Sequence, residues 1–272
     1  LTRRYTEEAI AFIRAHREQP FFLYLPHTMP HWPQYSSEAF AGKSKNGKWG
    51  DTVEEIDWST GEILRALKEH GIDDRTLVVF MSDNGGATKH GAKNTPLRGG
   101  KGSTWEGGHR VPFVARWPGK VPAGSKCKEL VTSMDLYATF AALAGGEVPA
   151  DRVVDGRDAV DLLFAKGGAK SPHEAYYYYF RGDLCAVRSG KWKLHVKLPR
   201  ARKNAPPLPY LFNLEADIGE RNNLAESNPE VVARLQKLLE EARNDIGDGA
   251  HKGANERPAD EVDAPVTLTQ KH

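Results

Sequence analysis

The chain has 272 residues, 39% of them hydrophobic, which is enough for one large core and a smaller appended unit. Thirty-eight Lys and Arg stand against 36 Asp and Glu, a formal +2 that gives no general electrostatic reason to expect nucleic acid or an anionic membrane as partner. Two cysteines, Cys127 and Cys185, exclude a disulfide framework and a cysteine-built zinc site but leave one bridge or two free thiols open.

The first residues, Leu1-Thr2-Arg3-Arg4-Tyr5, lack an initiator Met and an apolar signal core. They lead straight into a helix pattern, with Thr6 as its expected cap and Tyr5, Ala9, Phe12 and Ile13 as an apolar stripe reaching about His16. Phe21 to Leu25, bounded by Pro20 and Pro26, reads as a strand buried on both faces. A long helix is expected from Asp51 to about His70, stopped by Gly71, followed by a second buried strand from Thr76 to Met81. Strand, helix and strand in that order predict a right-handed parallel crossover, hence an α/β sheet whose ligands lie beyond the C-terminal strand ends. A third strand is expected at Phe113–Trp117, and a helix from Met134 to Ala144 capped by Ser133 or Asp135. Residues 145–170 read as a hinge-like passage. Beyond them, short segments at Tyr176–Phe180, Cys185–Arg188, Lys191–Val196 and Tyr210–Leu214 predict a small antiparallel sheet, covered by a helix over about Pro229–Arg243. The expected domains are residues 1–145, 146–246 and an irregular tail, 247–272. No apolar run approaches the roughly 20 residues needed to span a bilayer.

Asp83-Asn84 follows the second strand and precedes Gly85-Gly86. A carboxylate and an amide oxygen presented there suit a hard cation such as calcium or magnesium, although Asp-Asn-Gly is also ordinary turn chemistry. In Leu97-Arg98-Gly99-Gly100-Lys101-Gly102-Ser103-Thr104, glycines permit close backbone approach while Arg98 and Lys101 supply cationic donors. That suits a compact oxyanion, and a solvated basic loop would read the same way. It is no nucleotide P-loop, because the spacing and the following helix are missing. His31, in the proline-braced Pro30-His31-Trp32-Pro33, can hold an imidazole against a developing charge or serve as a structural histidine. His27 lacks that bracing and reads as structural. His109 and His195 are weaker candidates on spacing alone, and Arg181-Gly182-Asp183 reads as a turn rather than an adhesion motif.

From about Tyr5 to Glu240 the ordered series resembles the type I sulfatases, the formylglycine-dependent family related to arylsulfatase A and N-acetylgalactosamine-6-sulfatase. Its pieces are Pro20–Leu25 with Pro30-His31-Trp32-Pro33, Ser82–Gly86, and Leu97–Gly102 with Trp105-Glu106-Gly107-Gly108. Met134–Thr139, Tyr210–Leu214, Asp217, Gly219 and Glu220 follow in order. The resemblance implies an alkaline-phosphatase-like sheet with helices on both faces, incomplete in this chain, plus the small antiparallel sheet with its packed helix. It implies that Asp83 and Asn84 ligate calcium rather than magnesium, that Lys101 and His31 bind and polarise the sulfate, and that His195, Arg98 and His109 lie on the substrate side. It further implies a sulfate ester substrate, a sulfated carbohydrate or aryl sulfate, no nucleic acid partner, and a periplasmic or secreted location. Oligomeric state is left open.

The family's nucleophile is a formylglycine made from Cys or Ser in a Cys/Ser-x-Pro/Ala-x-Arg segment, and no position of this sequence fits it. Cys127 is followed by Lys-Glu-Leu-Val, and Cys185 by Ala-Val-Arg-Ser with arginine one place early. The family's early Asp-Asp calcium pair has no counterpart either, since Asp73-Asp74 precedes a strand rather than ending one. The chain is therefore expected to be the C-terminal portion of a longer enzyme, with the formylglycine upstream, and inactive by itself. A phosphatase or phosphonate-monoester hydrolase on the same fold, and a non-catalytic fragment binding sulfated glycans, are the rival readings.

Overall fold

The computed structural model describes residues 1–199, 207–258 and 261–264. They group into two compact units, Leu1–Glu174 with Asn213–Asn222, and Ala175–Phe212 with the residues from Asn223 onward.

In the first unit, helix α1 (Thr2–His16) packs on α2 (Gly47–Glu69). Ile13, Leu67 and Ile72 are buried between them, joined by Phe21, Leu23, Ile63, Leu64 and Val78. Thr6 is not the cap expected from its residue type. The helix begins a turn earlier, and Thr6 is buried inside it, its hydroxyl bonded to the Thr2 carbonyl (2.8 Å) and to Ser59 of α2 (2.6 Å). A mid-helix hydroxyl satisfied by the carbonyl four residues back has no need of an end position. Gly71 ends α2 as expected, taking φ 67°. Two buried carboxylates on α2 hold the preceding loop: Asp51 accepts the N–H groups of Ser44 and Gly42, and Glu55 that of Ser37. The bond from Ser44, then that from Gly42, holds the Asp51 carboxyl below the ordinary carboxylate range.

Strands β1 (Val78–Met81) and β2 (Phe113–Arg116) pair antiparallel, Val78 opposite Arg116 and Met81 opposite Phe113. The Arg116 guanidinium grips both oxygens of Asp73 at 2.6 and 2.7 Å and holds that carboxyl below its usual range. Trp117 Nε1 donates to the Asp74 carbonyl. The Asp73-Asp74 pair thus serves as an anchor for the strand that follows.

The expected parallel crossover is not formed as a ladder among the described residues. Residues 21–25 are extended, but only alternate side chains are covered: Phe21 and Leu23 pack on the α1–α2 core, while Phe22 and Tyr24 are 71% and 75% exposed. A continuous apolar run signals two buried faces only where a partner lies along each edge and over each face.

Helix α3 (Glu106–His109) is a single turn before β2, and α4 (Asp135–Leu143) and α5 (Val160–Leu163) complete the unit. The stretch 145–170 is no hinge. Arg157 N–H bonds Asp135, Ala159 N–H bonds Thr139, and Ser171 bonds both Glu129 and the Leu130 carbonyl, so the passage is tied back at several points. Asp135 is fully buried: Oδ1 faces the Arg157 N–H (2.8 Å) and His173 Nε2 (2.7 Å), while Oδ2 accepts the Thr132 N–H (2.6 Å).

The second unit is the expected antiparallel sheet: β3 (Tyr176–Phe180), β4 (Asp183–Ser189), β5 (Trp192–His195) and β6 (Tyr210–Asn213), adjacent in that order. Arg181 and Gly182, both at positive φ, form the two-residue turn between β3 and β4, which accounts for the Arg-Gly-Asp sequence. Helix α6 (Pro229–Asp245) lays Leu235, Leu238, Leu239 and Ala242 on Leu184, Val187, Leu194 and Leu211. Instead of being irregular from Gly247, the chain pairs β7 (Gly247–Asp248) with β8 (His251–Lys252). Tyr179 donates to the Gly247 carbonyl at 2.8 Å, which fixes that turn to the sheet. The parts of the expected tail at 259–260 and 265–272 lie outside the described residues. Both cysteines are free thiols; burial pushes that of Cys185 up to about 11, while Cys127 is exposed.

Candidate active-site loops

Three loops carry the chemistry-bearing residues of the first unit, and hydrogen bonds link them in series. The loop after β1 turns at Ser82, whose hydroxyl donates to the Asn84 carbonyl (2.9 Å). Asn84 Nδ2 donates to the Gly85 carbonyl, which leaves Oδ1 as an acceptor, and the adjacent Asp83 is exposed. Gly85 then lies directly against the third loop. Its N–H donates to the Gly108 carbonyl (3.0 Å), and a Cβ on Gly85 would stand 1.8 Å from the Gly107 carbonyl oxygen. Only glycine permits that approach.

Lys101 is set by its backbone, whose N–H donates to the Gly86 carbonyl (3.2 Å), while its side chain is exposed. Gly100 is similarly confined, since a Cβ there would lie 2.6 Å from the Gly86 carbonyl oxygen. Asn94 completes the seam. Its Oδ1 accepts the Gly86 N–H (3.1 Å), and its Nδ2 donates to the carbonyls of Gly86 (2.9 Å) and Gly99 (3.0 Å). Its residue type and neighbours in the sequence do not mark Asn94 for this role.

The His31 loop joins the same series through Gln34, whose Nε2 donates to the carbonyls of Pro30 (3.2 Å) and His90 (2.9 Å). Trp32 stacks on the His90 ring at 5.5 Å. His31 Nδ1 sits 2.7 Å from the Trp32 carbonyl oxygen. A carbonyl can only accept, so Nδ1 carries the proton and Nε2 is the nitrogen presented outward. His27 is half buried, with its Nδ1 unpartnered among the described residues; burial lowers its pKa against the opposing pull of Glu55.

The remaining candidates are placed differently. Arg98 lies over the Trp105 ring at 3.7 Å and donates to the Glu220 carbonyl at 2.7 Å, so its guanidinium is fixed in place with one donor used. Glu220, fully buried and at φ 53°, also accepts the Glu106 N–H (2.7 Å) through its carboxylate. It therefore clamps both ends of the Arg98–Glu106 stretch, a role the sequence did not show. His109 ends the one-turn helix α3 and is half buried. His195 belongs to the second unit, fully buried on β5 and edge-on to Phe212.

Among the described residues no group of three or more His, Cys, Asp or Glu is arranged to hold a metal ion. Asp83 and Asn84 Oδ1 are nonetheless hard oxygen donors of the type calcium takes, and they supply a minority of the roughly six to eight oxygens it prefers.

A family model described as Sulfatase matches residues 1–146, and one described as N-sulphoglucosamine sulphohydrolase, C-terminal, matches residues 100–245. Steryl-sulfatase of Mus musculus is 38% identical over 304 residues, covering 100% of this chain and 47% of the relative. N-acetylgalactosamine-6-sulfatase of Canis lupus familiaris is 37% identical, covering 88% and 51%. The crystal structure of Ps i-CgsB in complex with k-i-k-neocarrahexaose is 36% identical, with a TM-score of 0.76 over 88% of this chain and 54% of that one. The chain thus spans about half the length of the curated relatives it matches. The fold is α/β and alkaline-phosphatase-like, as in the solved sulfatases. With the sulfatase model covering more than half of its residues, the chain belongs to the sulfatase family.

Proposed function

We propose that the protein carrying this chain hydrolyses sulfate esters, and that His31, Lys101, Asp83 and Asn84 form one face of its active site. The observation that carries this is the hydrogen-bonded seam through Gln34, Asn94, Gly85 and Gly86, which ties together the three loops bearing those residues. Cleaving a sulfate ester builds charge on the leaving oxygen and redistributes it over the sulfuryl oxygens. A lysine ammonium and an imidazole on fixed backbone stabilise that charge without having to reorganise. Arg98 and His109, on the same loops, are proposed for the substrate side; His195, expected there from the resemblance, is buried in the second unit.

Calcium would be held in part by Asp83 and Asn84 Oδ1 and would supply further positive charge against the sulfuryl oxygens. The formylglycine typical of the family would supply the nucleophile; no Cys/Ser-x-Pro/Ala-x-Arg segment for it occurs within these 272 residues. In this reading the first unit, Leu1–Glu174 with Asn213–Asn222, carries the catalytic loops and the second is an accessory subdomain, so the division expected at 145/146 is moved to Glu174/Ala175. The substrate is a sulfated carbohydrate or an aryl sulfate, consistent with the oligosaccharide in the Ps i-CgsB complex. No described helix is long and apolar enough to cross a membrane, and the proposed location is periplasmic or secreted.

The calcium assignment is tested by titration calorimetry on the full-length protein. Asp83→Ala is expected to weaken calcium affinity by on the order of 10-fold or more, because it removes the charged ligand of the pair. Unchanged affinity would reject Asp83 as a ligand.

A further inference from the structure

We propose that the cavity between Thr95–Arg98 and Gly219–Arg221 is a subsite for a second anionic group of the substrate, a sulfate or carboxylate on the sugar adjoining the one desulfated. This rests on the sulfate-ester reading and extends it to an oligosaccharide bearing more than one negative charge.

The cavity has a volume of about 490 Å³, room enough for a sugar ring. Its lining includes two arginines, Arg98 and Arg221. Arg98 is held in place by the Trp105 ring and the Glu220 carbonyl, which uses one of its donors and leaves others. Arg221 is exposed, and its backbone N–H is fixed by Asp217 Oδ2 (2.7 Å). Its guanidinium has no hydrogen-bond or ion-pair partner among the described residues. The one carboxylate in the lining, Glu220, is buried and turned to the Glu106 N–H. Gly219 keeps the two walls close, since a Cβ there would lie 3.2 Å from the Pro96 carbonyl oxygen and 3.1 Å from Arg221 Nε.

Two cations sharing a cleft repel unless an anion lies between them, and the planar guanidinium matches the paired oxygens of a sulfate or carboxylate. The position relative to the proposed active site is set by the chain. Arg98 precedes Lys101 by three residues, which span at most about 11 Å. An anion in this cavity would therefore be within reach of a saccharide whose sulfate is held at Lys101, and Lys101 is not among the cavity's lining residues.

The test uses the full-length protein and its Arg221→Ala variant with three disaccharides: one bearing a single sulfate, one bearing two, and one bearing a sulfate and a uronate. Wild type is expected to favour both dianionic substrates in kcat/KM, and Arg221→Ala to erase that preference by on the order of 10-fold. Loss of preference for only one of them identifies the second group as sulfate or as carboxylate. A wild type without preference, or a variant that keeps it, overturns the proposal. If no ester is turned over, the active-site reading fails, and calorimetry with the disulfated disaccharide still decides the subsite. Binding weakened by Arg221→Ala upholds it, and equal binding rejects it.

Discussion

Lys101→Ala in the full-length protein is expected to lower kcat for a sulfate ester by on the order of 100-fold or more, and His31→Ala to do comparably. In the proposed reading both side chains meet charge that develops only as the ester bond breaks, so their loss should fall on kcat rather than on KM alone. The structure makes these substitutions interpretable. Lys101 contributes to the loop seam through its backbone N–H, which alanine retains. The His31 loop is held by Gln34 rather than by the imidazole, whose one bond among the described residues is to the neighbouring Trp32 carbonyl. Neither variant should unfold the site. Steady-state kinetics on purified, sulfate-free protein checks this, and wild-type turnover by either variant would remove that residue from the reaction.

The second large effect is on stability. Asp135→Ala is expected to destabilise the protein by about 3 to 5 kcal/mol, read as a lower urea midpoint at unchanged slope. The carboxylate is fully buried and meets three partly buried groups: the Thr132 and Arg157 N–H groups and the His173 ring. Removing one shared acceptor leaves all of them unpaired, and an unpaired buried donor costs about 1 to 3 kcal/mol. His173→Ala, which vacates one contact at the edge of the cluster, should cost less. A midpoint for Asp135→Ala close to that of wild type would mean that the 145–174 segment does not depend on this anchor.

What the sequence made legible follows from where the determining contacts lie. The helix Gly47–Glu69 and its stop at Gly71 were readable because periodicity and a left-handed glycine act within a few residues. The antiparallel sheet under α6 was readable for the same reason, its turns falling at Arg181-Gly182 and at Gly190. Phe21–Leu25 misled because an apolar run reports the demand for burial, not whether a partner strand satisfies it. Thr6 misled because a hydroxyl suits a cap and a buried mid-helix bond equally. The proposed site residues His31, Asp83, Asn84 and Lys101 stand out by residue type and by the ordered motifs. The supports that fix them did not: Gln34 to His90 spans 56 residues and Arg98 to Glu220 spans 122. Glu220 was visible as a piece of the resemblance without a role, and only its bonds to Glu106 and Arg98 give it one. The hinge expected at 145–170 failed likewise, since glycine and proline content says nothing of a buried carboxylate such as Asp135 waiting to receive the segment.

These loops are proposed to be built for sulfate esters, and the most direct measurement compares leaving-group release from matched substrates. The full-length protein, matured and supplied with calcium, is assayed on an aryl sulfate, the corresponding aryl phosphate and an aryl phosphonate monoester. The kcat/KM for the sulfate is expected to exceed the other two, and Lys101→Ala to lower the sulfate reaction by on the order of 100-fold or more. Faster turnover of the phosphate or the phosphonate would contradict it and assign the chain's parent to phosphoryl or phosphonyl chemistry on the same fold.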